Sequence, residues 1–121
     1  MKIFHFVNAS LGVEQLFSGG NNIKGGGGWT AALINKMLKE TDFNFAYAAF
    51  GNVNDLQHIK SERIDYFVIP NKLGDAGRHF EKGLEVCRAL VASWKPDIIH
   101  VHGTEGPFGL LSARRMVNCP L

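Results

Sequence analysis

The sequence predicts an open α/β fold: a mostly parallel sheet with helices on its flanks. Three observations lead there. Short apolar, β-prone runs recur along the chain. Amphipathic stretches of helical period alternate with them. Asp97-Ile98-Ile99-His100-Val101-His102, one of these runs, reads as a central parallel strand with both faces covered.

Taken in order, Ile3 to Val7 is short and apolar and predicts a buried first strand. An irregular stretch from Asn8 to Lys24 follows, with a turn signal at Ser18-Gly19-Gly20-Asn21. Four glycines, Gly25 to Gly28, lead into a helical pattern from Trp29 to Lys39. There Trp29, Leu33 and Met37 share one face, widened by Ile34 and Leu38. Phe43 to Phe50 predicts a second strand and Ile64 to Ile69 a third. The dozen or so residues between these two are few for a crossover helix and predict at most one helical turn, around Leu56 to Ile59. The direction of the third strand is therefore open. Asp75 is placed to cap a helix from Ala76 to Trp94. Phe80, Leu84, Cys87, Val91 and Trp94 recur on one face of it, and Pro96 ends it. After the fourth strand, Asp97 to His102, Gly103 to Pro107 forms a turn. Pro107 suits the first position of a helix running to about Val117. Cys119-Pro120-Leu121 reads as the approach to a fifth strand.

This order predicts a Rossmann-like domain, with the fourth strand beside the first and the sheet truncated before its fifth strand. An apolar sheet edge left bare in this way invites self-association with a second chain.

Composition narrows the function. The chain has 121 residues, 45% hydrophobic and 20% charged, so one folded domain is expected rather than disorder. Thirteen basic against 11 acidic side chains give a formal charge of +2, too balanced to point to nucleic acid. Two cysteines, Cys87 and Cys119, do not make a disulfide framework, and Cys87 reads as a buried free thiol. The first apolar run breaks at Asn8 with no small-residue cleavage site after it, and no window approaches the ~20 apolar residues of a membrane span. A cytoplasmic protein is expected.

Gly26-Gly27-Gly28-Trp29-Thr30-Ala31 fits the pattern G-x-G-x-x-A. In nicotinamide-binding proteins those glycines directly follow the first strand, whereas here about seventeen residues intervene. The second strand also ends Ala48-Ala49-Phe50-Gly51, without an acid to hold a ribose. Both departures count against an NAD(P)-dependent oxidoreductase. No Gly-Lys-Ser/Thr follows, so there is no P-loop. A glycine run before a helix start still brings backbone N–H groups and the positive helix end close to an anion, and a diphosphate is the natural candidate. A flexible surface linker is the plain alternative.

His100 and His102 lie on one face of the fourth strand. His100 is mid-strand and reads as a hydrogen-bonded core residue. His102 ends the strand, where ligands bind in open α/β sheets, and is the candidate functional residue. Gly103, Thr104 and Glu105 follow at the same edge. Glu105 is a ligand contact or simply an acid placed favourably near a helix start. Asn8 and Ser10 point to that edge too, as ligand contacts or as turn-capping side chains. Two histidines on one strand without a third ligand make a poor zinc site, so no metal is expected. His5, His58 and His79 read as ordinary surface or core residues.

Three features together, a start of the type Lys-Ile-x-His, the delayed glycines Gly25 to Gly28, and Lys95-Pro96-Asp97-Ile98-Ile99-His100-Val101-His102-Gly103, resemble the N-terminal domain of GT-B glycosyltransferases, family 4 in particular. The resemblance implies that residues 1–121 form the incomplete, acceptor-side domain of a two-domain enzyme. Its absent C-terminal domain would grip a nucleotide-diphosphate sugar. It implies transfer of the sugar to a glycan or other small acceptor with retained configuration, without metal or cofactor, and a parent able to associate peripherally with a membrane. By the same analogy Gly25, Gly26, Gly27 and Gly28 approach the donor diphosphate and acceptor, and His102 faces the transferred sugar or the acceptor. The segment before the glycines is longer than is usual in that family. The 121-residue chain alone is expected to be inactive. The main alternative is a stand-alone α/β binding module without catalysis, suggested by the chain length and the lack of a nucleophile–base pair. Neither reading specifies the sugar, nucleotide or acceptor.

Overall fold

The computed structural model describes residues 1–7, 33, 36–61, 63–73, 80–102 and 107–118. Its centre is a five-stranded sheet: β1 (Lys2–Phe6), β2 (Asn44–Gly51), β3 (Gln57–Ser61), β4 (Ile64–Pro70) and β5 (Ile98–Val101), in the order β3-β4-β2-β1-β5. All pairings are parallel except that of β3 with β4. Helix α1 (Phe80–Trp94) and the short α2 (Leu110–Ala113) accompany it, with 3-10 turns at Asn71–Leu73 and Pro107–Gly109. Residues 36–40 are helical, as the pattern from Trp29 to Lys39 predicts. The rest of that pattern falls largely outside the described residues.

The sheet is apolar on both faces because its strands alternate between two cores. On one face Phe4, Phe6, Ala46, Ala48, Ile69 and Ile99 meet Leu84, Cys87 and Val91 of α1, with Phe108 and Leu111 beyond. Of the stripe read along α1, Leu84, Cys87 and Val91 are buried and Trp94 is partly buried. Phe6, Phe50 and Phe108 stack in series, at centroid separations of 4.9 Å and 5.3 Å about Phe108. Burial of a phenylalanine is worth roughly 1.5–3 kcal/mol, so this layer is a principal source of stability. On the other face lie Phe45, Tyr47, Ala49, Ile64, Tyr66 and Val68, with Met37 and Leu38 partly buried against them.

The single helical turn expected around Leu56 to Ile59 is instead an edge strand, β3. The third apolar run, β4, is parallel to β2. A parallel partner needs a return path along the sheet. Here that path is itself extended: the chain leaves β2, runs back as β3 and re-enters between the two as β4. Exposed His58 and Lys60 on β3 suit an edge, where charge discourages further pairing.

Asp65 fastens this hairpin to α1. Its Oδ1 lies 2.7 Å from His58 Nε2, and its Oδ2 accepts from Trp94 Nε1 at 3.0 Å and Lys60 Nζ at 3.3 Å. Burial alone pushes the carboxyl pKa up, but these hydrogen bonds outweigh it and hold it below its ordinary value. Trp94 in turn packs edge-on against Phe4, and the Lys2 ammonium sits 4.4 Å from the indole centroid while donating to the Trp94 carbonyl. Arg63 donates to the carbonyls of Phe43 and Leu38, joining the turn after β3 to the segment before β2.

The strand predicted from Asp97 is β5, and it pairs with β1 as expected. It forms one border of the described sheet, however, and Ile98 and His100 are exposed, so one of its faces is open rather than covered. Lys95, with φ of 57°, ends α1, its N–H donating to Val91 O at 2.9 Å before Pro96 turns the chain. The expected helix from Pro107 to about Val117 is shorter. A 3-10 turn leads into four helical residues, and Arg115, with φ of 53°, breaks it. The predicted cap Asp75 and the helix start before Phe80 lie outside the described residues, as does the approach to a fifth strand after residue 118. Among the described residues no helix is long and apolar enough to cross a membrane.

At Gly83, α1 comes close to the backbone of the 3-10 turn Asn71–Leu73. A Cβ there would lie 2.1 Å from the backbone carbonyl oxygen of Leu73. In a helix interior Gly→Ala ordinarily stabilises by roughly 0.5–1 kcal/mol. Here the sign is reversed: Gly83→Ala is expected to destabilise by about 1–3 kcal/mol, the usual range for overpacking. A lower urea midpoint with unchanged slope checks this, and a raised midpoint would contradict it.

Candidate functional site: a histidine cluster at the carboxyl edge

Parallel pairing brings the carboxyl ends of β1, β2, β4 and β5 to one edge of the sheet. His102 follows β5 there, and its N–H donates to Phe6 O at 2.8 Å, extending the β1–β5 pairing by one residue. Register pairs His5 of β1 with His100 of β5. Alternation then puts His5, His100 and His102 on the same face.

The three side chains meet. His5 Nδ1 and His102 Nε2 are 2.8 Å apart and share a hydrogen bond. The rings of His100 and His102 stack at 4.0 Å, and His5 lies 5.3 Å from His100. His5 also stacks on Tyr47, nearly parallel at 4.6 Å. His5 and His102 are 1% and 5% exposed, whereas His100 opens to solvent. One ligand atom from each histidine lies within 4.8 Å of the other two.

Burial sets the protonation of the inner pair. Desolvation, then the neighbouring His102 and His100, lowers the His5 pKa to about 3. Desolvation, then His100, lowers that of His102 to about 4. Both rings are neutral at pH 7, so each offers one N–H and one lone pair. Beside them the Tyr47 phenol is held neutral, its pKa pushed well above the ordinary range by burial and then by Tyr66. Two atoms of this layer, His5 Nε2 and Tyr47 Oη, are buried without a hydrogen-bond partner among the described residues. The arrangement can donate or accept a hydrogen bond without changing charge, and it can ligate. Cys87 is remote from it: the thiol is buried on the opposite face and its pKa is pushed up to about 12 by desolvation. A groove of about 320 Å³ between α1 and residues 116–118 borders that opposite core as well.

His102 thus stands at the strand end where the sequence places it, but buried and locked to a partner. His5, read as ordinary, is that partner and supplies the third imidazole that the zinc argument lacked. His100, expected in the core, is exposed. Asn8, Ser10, Gly25, Gly26, Gly27, Gly28, Gly103, Thr104 and Glu105 lie outside the described residues. No spacing in the sequence signals His5, because the face it shares with the later pair is set by the register of β1 with β5, which chain position alone does not carry.

The sign of the pH dependence follows from the lowered values. In the unfolded chain both histidines titrate near pH 6.5, while in the fold they stay neutral until about pH 4 and pH 3. Between those limits the unfolded state binds more protons, so stability is full above pH 6.5 and falls as the pH drops towards 4. Each histidine adds up to ~1.4 kcal/mol per pH unit to the slope in that window. Urea unfolding of chelator-treated protein at pH 7, 6 and 5 is expected to show this loss. His5→Gln with His102→Gln is expected to flatten it, and an equal slope in that double variant would contradict the assignment.

Comparison of the chain with protein-family models, with curated proteins and with solved structures gives no match.

Proposed function

We propose that this domain is the acceptor-side half of a GT-B glycosyltransferase resembling family 4, and that His102 contacts the sugar in transit. The observation that carries the reading is the position of His102 at the carboxyl edge of a mostly parallel sheet, oriented by His5 at 2.8 Å. Ligands of open α/β sheets bind at that edge. A neutral imidazole fixed by a second one is suited to hydrogen-bond a sugar hydroxyl, which needs direction rather than charge. The motif Pro96-Asp97-Ile98-Ile99-His100-Val101-His102-Gly103 adds the family resemblance. The acid within it plays a structural part, since the Asp97 carboxylate receives the Lys2 N–H at 2.8 Å and aligns β5 with β1.

In the proposed reaction the sugar leaves a nucleoside diphosphate for a glycan or other small acceptor with its configuration retained. The glycine run Gly25 to Gly28 would approach the departing diphosphate through backbone N–H groups, where negative charge develops. The donor nucleotide would be gripped mainly by a second domain, so this half is expected to bind donors weakly and not to turn them over by itself.

Amide NMR titrations in the presence of chelator, with UDP-, GDP- and ADP-glucose and with NAD⁺, test the reading. At least one nucleotide sugar is expected to give a saturable response. His102→Gln should weaken it about tenfold, equivalent to ~1.4 kcal/mol, while leaving the dispersed spectrum of a folded chain. Saturable binding of NAD⁺ alone, or no response to any nucleotide sugar, would overturn it in favour of an oxidoreductase or of a binding module without catalysis.

A further inference from the structure

We propose that His5, His100 and His102 form a binding site for a transition-metal ion of the zinc type, with one coordination position facing solvent beside His100. The inference goes beyond the transferase reading, which calls for no metal, and stands or falls separately from it.

The three imidazoles come from two adjacent parallel strands, so backbone pairing rather than chance side-chain reach brings them together. Zinc–nitrogen bonds of about 2.0–2.1 Å put the ligand atoms of a tetrahedral site roughly 3.3 Å apart. His5 Nδ1 and His102 Nε2 are at 2.8 Å, and all three ligand atoms lie within 4.8 Å of one another. The inner pair therefore opens by about half an ångström and the outer ring swings inwards, movements that rotation about side-chain torsions supplies. His100, being exposed, has room to make that swing and gives the ion a way in.

The donor chemistry selects the metal. Among the described residues the group holds three imidazoles and neither carboxylate nor thiolate. Such a set favours zinc, copper, nickel or cobalt over magnesium or calcium, which seek oxygen. Three histidines and one open position is also the pattern of zinc sites that keep a place for water or substrate. In the metal-free pair a single hydrogen lies between His5 Nδ1 and His102 Nε2. A metal takes its place when the donor ring moves that proton to its other nitrogen, so neither ring changes charge. The stacked Tyr47 ring holds the plane of His5 while this happens.

The test uses the whole 121-residue chain, stripped with chelator and titrated with ZnCl₂ by calorimetry and with CoCl₂ by visible absorption. The expected result is one ion per chain, the intense d–d bands of four-coordinate cobalt, and a rise in melting temperature on adding zinc. His5→Gln, His102→Gln and the exposed His100→Ala should each weaken zinc binding at least tenfold, and His58→Ala should leave it unchanged. His100→Ala, which removes no buried group, keeps the test decisive if an inner variant fails to fold. Binding undiminished in His100→Ala, binding lost in His58→Ala, or cobalt spectra of the hexa-aquo ion would overturn the proposal. Zinc binding without any nucleotide-sugar response would leave this site standing while removing the transferase reading, and the reverse outcome would do the opposite.

Discussion

β1 is hydrogen-bonded on both sides, to β2 and to β5, and its register with β5 decides which side chains meet at the carboxyl edge. Contacts at both ends hold that register. At the start of the pair Asp97 binds Lys2 twice, through its own N–H to the Lys2 carbonyl and through its carboxylate to the Lys2 N–H, each at 2.8 Å. At the other end the His102 N–H reaches Phe6 O. A slip of one residue would carry every side chain of β5 to the opposite face. Ile99 would leave the core beneath α1, and His100 and His102 would part from His5.

A second polar knot, around Asp65, does similar work at the opposite end of the sheet. A buried carboxylate is costly unless its lone pairs are used. Asp65 uses them on an indole, an imidazole and an ammonium drawn from α1 and β3. Removing any one donor leaves the remaining contacts to carry the charge, whereas removing the carboxylate frees the part-buried Trp94 N–H. The edge strand β3 has few apolar side chains of its own, so this knot helps bind it to the fold.

Elements that bury a pattern were legible in the sequence, and elements that depend on partners were not. The four apolar strands and the α1 stripe of Leu84, Cys87 and Val91 announce themselves because burial imposes a period along the chain. Gln57-His58-Ile59-Lys60-Ser61 has a single aliphatic residue and no such period. It is a strand because β4 offers it an edge, and because the return from β2 needs a path. The end of α2 at Arg115 is likewise a backbone event, a positive φ at a residue type that gives no warning of it. At the site, His102 was legible from its place at a strand end. His5 was not, since its meeting with His102 spans 97 positions of sequence and depends wholly on pairing.

That separation bears on how the molecule assembles. The hairpin of β3 and β4 and its pairing with β2 join neighbours in sequence, so they close small loops. The pairing of β1 with β5 links Lys2 to Asp97, 95 positions away. Loop closure grows costlier with length, and long-range pairings form slowly. The β2–β3–β4 unit can therefore gather first, with β1 joining it and β5 closing last along the far side of β1. The histidine cluster then exists only once widely separated parts of the chain have met, and any loosening of β5 from β1 takes it apart.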